Sequence, residues 1–126
     1  MRLLLDTHIF LWAIAGSPRL KAATRRLIEE ADAVYVSAVS IWEVTVKACI
    51  GKLDADPHEL ASAMAASGFA ELPVSAAHAA GASHLADHHN APLDRLLVAQ
   101  ALAEPLKLVT ANKVLAKYSN ELVLLV

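Results

Sequence analysis

Three acidic residues occupy places in this sequence where they interrupt or open apolar segments. Asp6 directly follows Leu3-Leu4-Leu5, Glu43 lies within Val39-Ser40-Ile41-Trp42-Glu43-Val44-Thr45-Val46, and Asp94 heads Leu93-Asp94-Arg95-Leu96-Leu97-Val98-Ala99. Each has an ordinary structural role open to it. Asp6 suits a helix N-cap, Glu43 can pair with Lys47 one helical turn later, and Asp94 complements the dipole of a helix that starts beside it. Together they have a second reading. Carboxylates brought close repel and raise one another's pKa, a penalty that a divalent cation removes. Oxygen ligands of this kind select Mg2+ or Mn2+ over zinc. Such an ion lowers the pKa of a bound water and offsets charge on a phosphate under attack. Asp6, Glu43 and Asp94 are therefore the candidate catalytic and metal-holding set.

The elements that must position these groups follow from the apolar pattern. Leu3 to Leu5 is a short continuous apolar run and predicts a buried strand. A helix with Phe10, Leu11 and Ile14 inward follows it. Ser17-Pro18 predicts the opening of a second helix, since Ser caps and Pro fits the first helical position. Val34-Tyr35-Val36 predicts a second strand. Ser37 or Ser40 caps a helix that reaches about Ile50 and stops at Gly51. Pro57 opens the next helix, which ends near Gly68. Residues 69–72 predict a third strand, 75–85 an Ala-rich helix, and 93–104 a further helix. Strands at 106–109 and 123–126, with a short helix from Asn112 between them, complete the chain. Short apolar strands alternating with helices imply a parallel sheet of about five strands covered on both faces, a three-layer α/β/α sandwich. Ligands of such open sheets bind beyond the carboxyl ends of the strands. Asp6, Ser37 and Thr110 stand at those ends.

Composition bounds the function. The chain has 126 residues, enough for one domain over 1–126. Its hydrophobic share of 56% exceeds the usual roughly 45–50% and excludes a disordered chain. A formal charge of −2 is not that of a strongly basic nucleic-acid binder, so any contact with phosphates falls to local cations or to metal ions. Asp6 comes too early for a signal-peptide apolar region, and no apolar run is long enough for a membrane helix. The lone Cys49 suits a reducing compartment and reads as a small core residue. A cytoplasmic protein is the expectation.

The ordered set Leu3-Leu4-Leu5-Asp6-Thr7-His8, Ser37-Ala38-Val39-Ser40-Ile41-Trp42-Glu43-Val44, Pro92-Leu93-Asp94-Arg95-Leu96-Leu97-Val98-Ala99-Gln100-Ala101 and Leu108-Val109-Thr110-Ala111-Asn112 resembles the PIN domain. The likeness is greatest to the VapC-like toxins of bacterial toxin–antitoxin pairs. It implies a PIN-like α/β/α fold and a Mg2+- or Mn2+-dependent endoribonuclease. It also implies frequent homodimers and a small inhibitory antitoxin whose tail reaches the site. By position, Asp6, Glu43 and Asp94 match the family's first three acidic residues, and Thr110 the hydroxyl beside them. The fourth acidic position is Asn112 here, and Ala91 stands where many close relatives have Asp. Thr7 and Ser40 are lesser candidates for hydrogen bonding at this edge.

Arg95 is a candidate contact for RNA phosphate or a partner of Asp94. His84, His88 and His89 read as a solvated or phosphate-facing set. Trp12 and Trp42 suit core or dimer packing, or stacking on a base. Two other functions compete. A phosphatase using Asp6 as nucleophile, in the haloacid-dehalogenase manner, wants a second Asp two positions on, where this chain has His8. A catalytically weakened PIN domain that only binds RNA or protein draws on Asn112 and Ala91.

Overall fold

The apolar runs become the strands of one parallel sheet. The computed structural model describes residues 1–88 and 90–126. Along the chain lie β1 (Arg2–Leu5), α1 (Thr7–Ala15), α2 (Ala22–Glu30), β2 (Ala33–Ser37), α3 (Ala38–Cys49), α4 (Pro57–Ala66), β3 (Ala70–Leu72), α5 (Ala76–Gly81), α6 (Pro92–Ala103), β4 (Lys107–Thr110) and β5 (Val123–Leu125). Short 3-10 turns fall at Ala82–His84 and Leu115–Lys117. The strand order is β3-β2-β1-β4-β5, with every neighbouring pair parallel. Leu4 of β1 faces Tyr35 in β2 and Leu108 in β4, so β1 is the central strand.

Successive side chains of a strand point to opposite faces, so β1 serves two cores. Leu3 and Leu5 join Ile9, Phe10, Ile28 and Met64 on one face. Leu4 joins Val39, Leu97, Val98 and Leu115 on the other. Helices α1, α2 and α4 thus cover one side and α6, with the start of α3, the other. This is the α/β/α sandwich that the strand–helix alternation predicts. The chain leaves β1 toward β2 on one side and reaches β4 on the other, which puts the topological switch point between the carboxyl ends of β1 and β4.

Two local expectations are corrected. Ser17-Pro18 does not open a helix. The Ser17 amide closes α1 by donating to the Trp12 carbonyl, and its hydroxyl accepts only from the Arg19 amide. The chain uses this turn to lower Leu20 into the core, and α2 starts at Ala22. Helix α3 is buried on one side only, through Val39, Ser40 and Val44. Trp42, Val46 and Ile50 recur at intervals of four and share its exposed side. Cys49 is exposed as well and is not a core residue. Of the three histidines, His84 and His88 are exposed, the latter edge-on to the Tyr118 ring at 4.7 Å, while His89 lies outside the described residues.

A buried polar chain locks β2 to α6. The Ser37 hydroxyl caps α3 by accepting from the Val39 amide and donates to Gln100 Oε1 at 2.6 Å. Gln100 Nε2 donates to the Pro73 carbonyl and approaches His78 Nδ1. His78 Nδ1 accepts from the Ser75 amide, and its Nε2 meets Glu104 at 2.7 Å. Ser37 and Gln100 are fully buried. Gln100→Ala should leave these partners unmet and open a cavity, lowering the unfolding free energy by about 2–4 kcal/mol. Urea denaturation checks this, and an unchanged midpoint would contradict it.

Candidate functional site

The switch point is built around Asp6. Its backbone amide donates to the Val109 carbonyl at 2.9 Å, extending the β1–β4 ladder by one bond. The chain then turns into α1, with Asp6 as N-cap: Oδ1 accepts from the Thr7 amide at 2.7 Å. Oδ2 accepts from the Thr110 hydroxyl at 2.6 Å, a bond between the ends of two adjacent strands. Asp6 is only 5% exposed. Burial pushes its carboxyl above the ordinary value. The hydrogen bond from Thr110 opposes that rise, the negative charge of Asp94 adds to it, and the Thr7 amide and His8 oppose it more weakly. Asp6 and Asp94 therefore feel one another's charge.

Thr7 ties the second carboxylate to the first. Its amide serves Asp6, while its hydroxyl lies 2.9 Å from Glu43 Oε1 and 2.9 Å from Ser40 Oγ. A hydroxyl has one proton and an ionised carboxylate can only accept. Thr7 thus donates to Glu43, and Ser40 donates to Thr7. The other Glu43 oxygen, Oε2, accepts from Lys47 Nζ at 2.7 Å. The ordinary ion pair open to Glu43 is therefore formed. Asp94 lies in the first turn of α6. Together with Glu43, Lys47, Val46, Ala91, Pro92 and Leu93 it lines a groove of about 260 Å3.

A second groove, of about 360 Å3, opens on the other side of Asp6 and is lined by His8, Trp12, Arg19, Ala111 and Asn112. Thr110 Oγ1 accepts from the Asn112 amide at 3.0 Å, and Asn112 Oδ1 accepts from the Val114 amide at 3.0 Å. Asn112 thus caps the turn after β4 while facing the groove that holds Asp6. Arg95 points elsewhere. Its terminal nitrogens donate to the carbonyls of Ala82, Leu85 and Ala86 and to the Tyr118 hydroxyl, so it braces the segment before α6. Trp12 packs against the core, and Trp42 is 59% exposed.

The candidate carboxylates meet in pairs. Asp6 and Asp94 couple through charge, Asp6 and Glu43 through Thr7, and Glu43 and Asp94 across a groove. Among the described residues, no three His, Cys, Asp or Glu side chains form a ready-made metal cage. Lys47 and Thr7 each donate to one oxygen of Glu43. The donor set still fits a hard cation. It consists of oxygens, and its buried member, Asp6, feels the negative charge of a second carboxylate, Asp94. Sequence reading passed over His8 and the role of Gln100. The signal for His8 was its position in the turn after Asp6. None marked Gln100, whose value comes from partners far away in the chain.

The raised carboxyl of Asp6 has a consequence for stability. A group whose folded pKa exceeds its unfolded value stabilises most below the unfolded pKa, and that contribution is lost as pH rises through the folded one. Ionised Asp6 thus costs stability at neutral pH in the absence of metal. Asp6→Asn should raise the melting temperature in EDTA at pH 7. The gap should close as pH falls from the raised folded value toward the ordinary 3.8, where wild-type Asp6 regains its proton. Melting curves against pH test this, and a variant less stable than wild type at pH 7 would contradict it.

The model of the PIN domain family matches residues 3–121. No curated protein matches the chain in sequence. Several solved structures share its fold. VapBC2 from Rickettsia felis, bound to a DNA fragment from its promoter, superposes with a TM-score of 0.73 at 19% identity, covering 98% of both chains. A toxin–antitoxin complex from Klebsiella pneumoniae gives 0.66 at 21%, covering 97% of this chain and 95% of that one. FitAcB from Neisseria gonorrhoeae gives 0.66 at 17%, covering 96% and 95%. With a family model spanning nearly its whole length and a parallel sheet that carries Asp6 and Thr110 at the switch point, the chain belongs to the PIN domain family.

Proposed function

We propose that this protein is a metal-dependent endoribonuclease, the toxin of a toxin–antitoxin pair, acting as one PIN-like domain over residues 1–126. The observation that carries the reading is a buried carboxylate, Asp6, coupled to Asp94 at the carboxyl edge of the sheet. Asp6 and Asp94 would hold Mg2+ or Mn2+, and Glu43 and Asn112 would act largely through coordinated water. When bound, the ion would lower the pKa of a water and offset charge on the phosphate under attack. The chain's own part is orientation. Thr110 and the Thr7 amide fix both Asp6 oxygens, each of which keeps a lone pair for a ligand. Thr7 and Ser40 hold Glu43 at the same edge.

Asn112 brings no charge. Two divalent ions about 3.5–4 Å apart need carboxylate compensation, so one well-held ion is the reading this site supports. The fold shared with solved toxin–antitoxin complexes supports an antitoxin partner. The exposed stripe of Trp42, Val46 and Ile50 supports a homodimer or that partner covering it. No helix among the described residues is long and apolar enough to cross a membrane. The lone cysteine supports a cytoplasmic protein. A binding-only PIN domain is the second reading. It is favoured by the Lys47–Glu43 pair and by the capping bond of Asn112.

Purified protein should cleave RNA with Mg2+ or Mn2+, and EDTA should abolish cleavage. Asp6→Asn and Asp94→Asn should each reduce the rate on the order of 100-fold or more while keeping the fold. Full activity of either variant at limiting metal would overturn the assignment. A protein without metal-dependent cleavage would leave the binding-only reading. Asn112→Asp preserves the cap and adds a charge, so it should tighten metal binding in a calorimetric titration. Unchanged affinity would restrict Asn112 to its capping role.

A further inference from the structure

Glu43 is a candidate carboxylate that the chain itself pairs with a cation, Lys47. Its side chain is 15% exposed, and that of Lys47 is 39% exposed. A largely buried carboxylate needs a partner, and a plain i,i+4 geometry on α3 supplies one. The pair is not on an outer surface of the helix. It faces the groove that Asp94 also lines, whose remaining wall is the apolar set Val46, Ala91, Pro92 and Leu93. Lys47 Nζ lies 2.7 Å from Glu43 Oε2, so a cation that took this oxygen would come within close range of the ammonium and be repelled.

We propose that Lys47 is a positioning residue that occupies Glu43 and competes with a divalent cation for it, so that the cation is held chiefly by Asp6 and Asp94. The inference rests on the metal reading given above and deepens it. Within the pair, the Lys47 ammonium offsets the Glu43 charge that a divalent cation would otherwise meet. Lys47 also keeps Glu43 turned toward Thr7, because the two oxygens of one carboxylate are taken by two fixed donors. Removing the ammonium frees Glu43 as a third anionic ligand. Moving it elsewhere, onto a phosphate of bound RNA, would do the same transiently.

The test compares wild type, Lys47→Gln and Lys47→Arg, with Mn2+ alone as the probe. Titration calorimetry should show K47Q binding Mn2+ on the order of 10-fold more tightly than wild type, with K47R close to wild type. The metal-free K47Q protein should melt lower, since Glu43 has lost its partner, and should gain more from added Mn2+. A purely structural role for Lys47 would lower the melting temperature and leave affinity unchanged or weaker. That result overturns the proposal, as does equal tightening by K47R, because charge would then not be the cause. If K47Q does not fold, Lys47→Met, which keeps the aliphatic stem, is read in the same way. No binding of Mn2+ by any of these proteins would remove the metal reading itself and this inference with it, whereas binding by wild type with unchanged affinity in K47Q removes only the inference.

Discussion

A carboxylate that water barely reaches stands at the end of the central strand, and the surrounding structure is arranged around that burden. Asp6 cannot be solvated by bulk water where it lies, so donors of the protein replace it: the Thr7 amide from α1 and the Thr110 hydroxyl from β4. Both donors are fixed by secondary structure. The Thr7 amide is one of the orphan groups at the start of a helix, and Thr110 is fully buried with its lone pair engaged by the Asn112 amide. The hydrogen bond from β4 to Asp6 therefore joins the two halves of the sheet at the one place where strand order reverses. A sheet that slipped by a residue between β1 and β4 would turn Thr110 away and leave the carboxylate without its strongest donor.

From that point the chemistry spreads along short links. Thr7 serves two carboxylates with two different groups, and Ser40 completes its hydrogen bonding. Ser37 caps the helix that carries Glu43, while Gln100, on the helix that carries Asp94, accepts a hydrogen bond from the Ser37 hydroxyl. The two helices bearing Glu43 and Asp94 are thus tied to each other through one buried side-chain bond. Because a buried amide left without partners is costly, this bond holds position as well as energy. Preorganisation of this kind is what a metal site demands of its scaffold.

The sheet was legible because each strand is a short aliphatic run and each helix has a periodic face. The alternation of Leu3, Leu4 and Leu5 between two cores is the direct outcome of a pleat. The positions of Asp6, Glu43 and Asp94 were legible because charge in an apolar context is rare and must have a reason. What escaped reading depends on distance in the chain. The Ser17 hydroxyl does accept from the Arg19 amide two residues on, yet the chain after it only turns, and α2 starts at Ala22. Cys49 looked internal because Val44, Val46, Ala48 and Ile50 surround it, yet only one side of α3 meets the sheet. Arg95 stands beside Asp94 in sequence but is drawn to carbonyls nine to thirteen residues away. Local pattern cannot rank such competing partners.

The amide at residue 112 adds no charge to an edge that already carries acidic side chains. Each further carboxylate there would add repulsion that a bound cation offsets. Here Lys47 pairs with one of the three candidate acids, and fixed donors hold a second in its buried place. The negative charge of Asp94 adds to the rise that burial imposes on the Asp6 carboxyl. Asn112 then contributes the capping bond that the turn after β4 requires, without adding to that repulsion. The Lys47–Glu43 pair and the donors around Asp6 fix these side chains by bonds within the chain itself, and the proposed competition of Lys47 with a cation would act on that arrangement.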